Sequence, residues 1–93
     1  MVEIAVRIMI AGRVQGVGFR MWAAGEAERR GLRGWVRNRA DGQVEALLIG
    51  PSDAVAAMIE ACRFGPRAAR VTSLTREPAS DDGTAHFHER PTV

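Results

Sequence analysis

Apolar and polar residues alternate from the start of the chain. Ile4, Val6, Ile8 and Ile10 share one face of an extended segment, and Glu3, Arg7 and Met9 share the other. That period of two predicts a half-buried strand over Glu3–Ala11. A glycine-rich turn follows, Gly12-Arg13-Val14-Gln15-Gly16-Val17-Gly18. From Phe19 to Arg30 the residues turn to Ala, Glu, Arg, Met and Trp, which favour helix, with Gly31 as its stop. Gly34–Asn38 predicts a second strand, Asp41-Gly42 a hairpin turn, and Gln43–Ile49 a third strand bounded by Gly50-Pro51. Ser52 is the expected N-cap of a second helix running to about Phe64. Its apolar stripe is Val55, Met58, Ile59 and Cys62, and Gly65-Pro66 ends it. Arg70–Glu77 predicts a fourth strand and Pro78–Gly83 a polar loop. Ala85–Glu89 predicts a short last strand, and the final Arg90–Val93 is expected to be loose.

The order βαββαβ with a short tail strand has an economical solution. It is an α+β, ferredoxin-like sandwich: one antiparallel sheet with both helices on one face. A helical crossover makes the first two strands parallel, with the third between them. Their C-terminal ends then lie on one edge of the sheet. One of those ends carries the glycine turn and Arg20, and the other carries Asn38, so residues distant in sequence are expected to share a pocket.

Composition narrows the class. Ninety-three residues make one domain, expected to span 1–93. No apolar run is long enough for a membrane span and no signal-peptide pattern opens the chain, so a cytosolic protein is expected. All 13 basic side chains are arginine, against 11 carboxylates, and there is no tyrosine. The pI of 9.9 thus exaggerates a net charge of only +2. A general nucleic-acid coat is not implied, whereas a local anion site is compatible. The single cysteine, Cys62, excludes an internal disulfide and reads as core.

A turn with Gly12, Gly16 and Gly18 that leads into a helix can aim several backbone N–H groups at one point. The helix start adds uncapped donors and a positive dipole end. Arg20, in the first turn, is a permanent cation with a two-pronged grip. A cation there opposes the dipole, and a bound anion would relieve the conflict. Better-known phosphate motifs fail: there is no lysine for a P-loop, and Met21 stands where the dinucleotide pattern needs its last glycine.

The stretch from Gly12 through Gln15, Gly16, Val17, Gly18 and Phe19 to Arg20 resembles the phosphate-binding signature of acylphosphatases. Gly34-Trp35-Val36-Arg37-Asn38, followed by Asp41-Gly42-Gln43-Val44-Glu45 and Gly50, resembles that family's second signature, in the same order and spacing. The resemblance implies hydrolysis of acyl phosphates to a carboxylate and inorganic phosphate, with no cofactor and no metal. It implies that the backbone amides of Gln15 through Phe19 and the Arg20 side chain hold the phosphate, while Asn38 orients the attacking water. With so few aromatic residues and no long apolar run, neither a nucleic acid nor a membrane is expected as partner, and a monomer is expected. Ala23 replaces a frequent threonine of the family, and Arg30 and Glu89 stand where apolar residues are common.

Other residues are less promising. His86 and His88 share a strand face but lack a third ligand, so a solvated face is expected. Asp81-Asp82 reads as loop polarity, Arg29-Arg30 as helix surface, and Trp22 and Trp35 as core or pocket wall. Two other readings stand beside the enzyme. One is a phosphate-binding or regulatory domain, such as the acylphosphatase-like domains within a larger hydrogenase-maturation carbamoyltransferase. The other is an RNA-recognition module, which shares the topology, but Val17 stands where its motif wants an aromatic.

Overall fold

A computed structural model describes residues 2–93. Strand β1 (Glu3–Arg13) leads to helix α1 (Phe19–Arg29), strand β2 (Arg33–Asn38) and strand β3 (Val44–Pro51). Helix α2 (Ser52–Cys62), strand β4 (Arg70–Pro78) and the short strand β5 (Phe87–Glu89) complete the chain. The sheet order is β4-β1-β3-β2-β5. Pairs β1–β3, β1–β4 and β2–β3 are antiparallel, as expected. The last strand adds to β2 in parallel, with Val36 opposite Glu89, so the sheet is mixed.

The core lies between one sheet face and the helices. Val6, Ile8 and Ile10 of β1, with Val36, Val44, Ala46 and Leu48, meet Phe19, Ala23 and Ala27 of α1 and Val55, Met58, Ile59 and Cys62 of α2. Burial pushes the Cys62 thiol up to about 12 despite the opposing pull of Arg30, so this cysteine is an inert core residue. Arg30 lies over the edge of that core and donates from Nη1 to the carboxylate (2.7 Å) and backbone carbonyl of Glu26. The loop after β4 crosses the opposite face, where Trp35, Leu47 and Ile49 pack with Ala5 and Ala79. The Trp35 indole donates to Asp82 (3.1 Å), and Asp81 pairs with Arg33. Both aspartates thus fasten the loop to the sheet.

Several boundaries depart from expectation. β1 continues through Gly12 and Arg13, because a bulge after Ala11 lets it keep pairing with β4. Gly12 has φ +124°, and a Cβ there would lie 2.1 Å from the Arg70 carbonyl oxygen. Its glycine therefore serves close strand approach and not the loop. Ser52 is not the N-cap of α2. β3 runs on to Pro51, which occupies the cap position, so Ser52 is the first helical residue and the cap residue itself supplies no side-chain hydrogen bond. The helix ends at Cys62, two residues before Phe64. The tail is not loose. Arg90 N–H donates to Val36 (2.8 Å), Val93 N–H to Asn38 (3.2 Å), and Ala40 N–H to Val93 (2.8 Å). These bonds carry the parallel edge beyond β5.

The sheet also contains a buried carboxylate. Glu45 is 2% exposed. It accepts from Arg7 Nε on β1 (2.5 Å), from Arg37 Nε on β2 (2.7 Å) and from Arg39 Nη1 (3.0 Å). Burial pushes its pKa up, but the hydrogen bonds from Arg37, Arg7 and Arg39 outweigh this and hold it below the ordinary glutamate value. A carboxylate depressed in this way contributes stability above its unfolded pKa of about 4.3 and loses it as pH falls through the lower folded value. Glu45→Gln is therefore expected to cost about 2 kcal/mol at neutral pH. The gap between parent and variant in urea unfolding should narrow as pH falls below about 4.3, the unfolded value, and on through the lower folded one. A gap that is constant with pH would remove the charge from the account.

Candidate active site

The loop between β1 and α1 is shaped from both ends. Val14 is fully buried and anchors its start. Gly16 and Gly18 have φ +72° and +77°, with no atom within 4 Å of a Cβ built on either. Backbone conformation, not crowding, makes these positions glycine. Gly18 occupies the cap position of α1 without a side-chain cap, and its carbonyl accepts the first helical bond, from Trp22 (3.0 Å). Among the described residues, no backbone N–H from Gly16 to Met21 donates to another backbone carbonyl outside the helix. The helix therefore presents free donors at its positive end.

Gln15 holds this loop in place. Its side-chain Nε2 donates to the carbonyls of Arg39 (2.7 Å) and Gln43 (2.9 Å). Those carbonyls flank the β2–β3 turn, directly after Asn38. One amide group thus ties the loop to the strand end that carries the asparagine. The resemblance implies only a backbone role for Gln15, and no spacing in the sequence signals this tether.

Arg20, Asn38, Gly16, Gly18 and Phe19 line one cavity of about 190 Å³, together with Val14, Met21 and Glu89. The expected meeting of Arg20 and Asn38 is therefore present. Gln15 and Val17 are not among the lining residues: Gln15 turns its side chain to the hairpin, and Val17 packs against the core. The Arg20 side chain is 35% exposed, and its nearest opposite charge is Glu89, with Nε 4.0 Å from Oε1. Asn38 is half-buried, and its carboxamide makes no hydrogen bond to another described residue. A larger shallow groove of about 490 Å³ runs along the outer face of α1 past Met21, Trp22 and Gly25, but no set of donors converges on it. His86 and His88 are both exposed. Among the described residues no three His, Cys, Asp or Glu side chains gather as metal ligands. No described helix is long and apolar enough to cross a membrane.

The acylphosphatase family model matches residues 6–89, which include the whole cavity. The chain belongs to the acylphosphatase family. Acylphosphatase from Nitrobacter hamburgensis is 50% identical over 98% of both chains. The crystal structure of acylphosphatase from Bacillus subtilis superposes with a TM-score of 0.90 at 41% identity, covering 94% of this chain and 98% of that one. HypF from T. kodakarensis contains a similar unit, with a TM-score of 0.83 and 30% identity, but the match spans 12% of that longer chain. As an acylphosphatase by family, the chain is an enzyme.

Gln15→Ala is expected to lower stability by about 1–2 kcal/mol, the net worth of two hydrogen bonds. It should also lower the backbone order parameters of Gly16, Val17 and Gly18, measured by 15N relaxation. Unchanged order parameters at these three amides would show that the loop holds its shape without the tether.

Proposed function

We propose that the chain hydrolyses acyl phosphates, with the phosphoryl group seated in the cavity between the glycine loop and the end of β2. The observation that carries this reading is the convergence of Arg20, Asn38, Gly16 and Gly18 on one small cavity at an uncapped helix start. In the proposed roles, the amides from Gln15 to Phe19 and the Arg20 guanidinium hold the phosphoryl oxygens. The Asn38 carboxamide aims a water at phosphorus, opposite the leaving group. Activity in family members supports the reaction, and the cavity supports the assignment of residues.

The chemistry asks for little more. Arginine stays protonated and asparagine does not titrate usefully, so neither serves as a general base. An acyl phosphate leaves as a carboxylate of pKa ~4–5, which needs no proton from the enzyme. The transition state of phosphoryl transfer is loose, so the attacking water keeps most of its proton until late. That proton then passes to a phosphoryl oxygen of the substrate. The enzyme has to supply positioning and fixed positive charge, and the site is built from both. Water attack breaks the P–O bond to the acyl group and yields a carboxylate and inorganic phosphate.

Benzoyl phosphate hydrolysis in the presence of EDTA tests the whole reading. The parent is expected to turn over substrate undiminished by the chelator. Arg20→Ala should lose at least about 2.7–4 kcal/mol of transition-state stabilisation, the loss typical of a principal oxyanion donor. Asn38→Ala should abolish most turnover and still bind inorganic phosphate. Near-normal hydrolysis by folded Asn38→Ala protein would remove Asn38 from the mechanism.

A further inference from the structure

Three strand ends meet at the cavity, where the sequence pointed to two. β1, β2 and β5 all run the same way across the sheet. Their C-terminal ends therefore share an edge. The third end brings Glu89, paired with Val36, to the cavity wall facing Arg20. Glu89 is the only acidic residue lining the cavity among those described. It meets Arg20 at the Nε edge, at 4.0 Å, too far for a hydrogen bond. Among the described residues no other carboxylate pairs with that guanidinium, and its terminal N–H groups make no hydrogen bond to the protein. Arg20 otherwise sits as a cation at the positive end of α1.

We infer that Glu89 is a positioning residue for Arg20 and a resident counter-anion that the phosphoryl group must outcompete, so that it sets how weakly the site holds a dianion. This rests on the functional reading above. With no ligand bound, the carboxylate offsets the conflict between guanidinium and helix dipole and keeps the side chain turned into the cavity. Because it engages only the Nε edge, the terminal fork stays open for two phosphoryl oxygens. Once a dianion is bound, Glu89 faces a like charge across a few ångströms. The Arg20 and Glu89 side chains are 35% and 44% exposed, so their own pairing is weak. Repulsion of a doubly charged ligand therefore outweighs the gain from orienting Arg20. The consequence is a site that releases inorganic phosphate readily after each turnover.

The test compares Glu89→Gln, Glu89→Ala and Glu89→Asp with the parent. It measures kcat and KM for benzoyl phosphate and the competitive inhibition constant of inorganic phosphate, with phosphate binding also followed by calorimetry. Loss of the charge in the Gln and Ala variants should tighten phosphate roughly three- to tenfold, the scale of one or two half-exposed charge contacts. KM should fall with it while kcat does not rise. The Asp variant, which keeps the charge, should hold phosphate within about twofold of the parent, a shift on the scale of a single exposed contact. Phosphate binding that is unchanged or weaker in the Gln and Ala variants would overturn the inference, as would equal tightening in the Asp variant. A parent that neither hydrolyses benzoyl phosphate nor binds phosphate through Arg20 would instead overturn the functional reading on which it stands.

Discussion

The insertion of β3 between β1 and β2 is the constraint on which the remaining architecture depends. β3 is the one strand buried along nearly its whole length, and it pairs antiparallel with both neighbours. Two antiparallel pairings in succession make β1 and β2 parallel, and this alone brings the loop after β1 beside the end of β2. The apolar side of β3 anchors the helices through Val44, Ala46 and Leu48. Its other side carries Glu45, whose oxygens are shared by arginines from both flanking strands. The same three strands are thus joined by oily contacts on one face and by charge on the other. A site assembled from separate strand ends needs such rigidity, since displacement by an ångström is costly for in-line attack.

Under the proposed function, the economy of the site follows from its substrate class. An enzyme that has to protonate a poor leaving group needs a group titrating near neutrality, and it needs burial or neighbouring charge to tune it. Here the residues facing the cavity include a guanidinium, a carboxamide and glycine backbone. They supply donors in a fixed arrangement and little else. This explains how a chain of 93 residues, with room for one small core, can hold an active site without sacrificing buried volume to it.

Much of this arrangement was legible before the structure. The alternation of Ile4, Val6, Ile8 and Ile10 and the stripe through Val55, Met58, Ile59 and Cys62 report directly on the core face, because burial has the period of the element. The neighbourhood of Arg20 and Asn38 follows from topology alone. Other features depend on contacts that periodicity does not encode. Gly12 reads as loop, yet it lies in a strand, since the bulge that extends β1 depends on where β4 sits. Three residues of β5 are too few to reveal whether they pair parallel or antiparallel, so the direction in which Glu89 points was not readable. The Glu45 cluster left a signal that went unused: Arg7, Arg37 and Glu45 all occupy polar positions facing away from the helices, on strands already expected to be neighbours. The tether made by Gln15 left no such signal, because a side-chain amide reaching two carbonyls across a hairpin has no characteristic spacing.

The bonds of Val93 and Arg90 to the backbone of β2 fasten the end of the described chain beside Asn38 and Glu89, two residues that line the cavity. The carbonyl that receives Val93 belongs to Asn38 itself, and Glu89 precedes Arg90 directly. The last few residues are therefore tied to the strand end on the Asn38 side of the cavity. A fusion, a tag or a clipped terminus at that position acts on the strand end that carries the carboxamide, whereas the same alteration before β1 meets the opposite edge of the sheet.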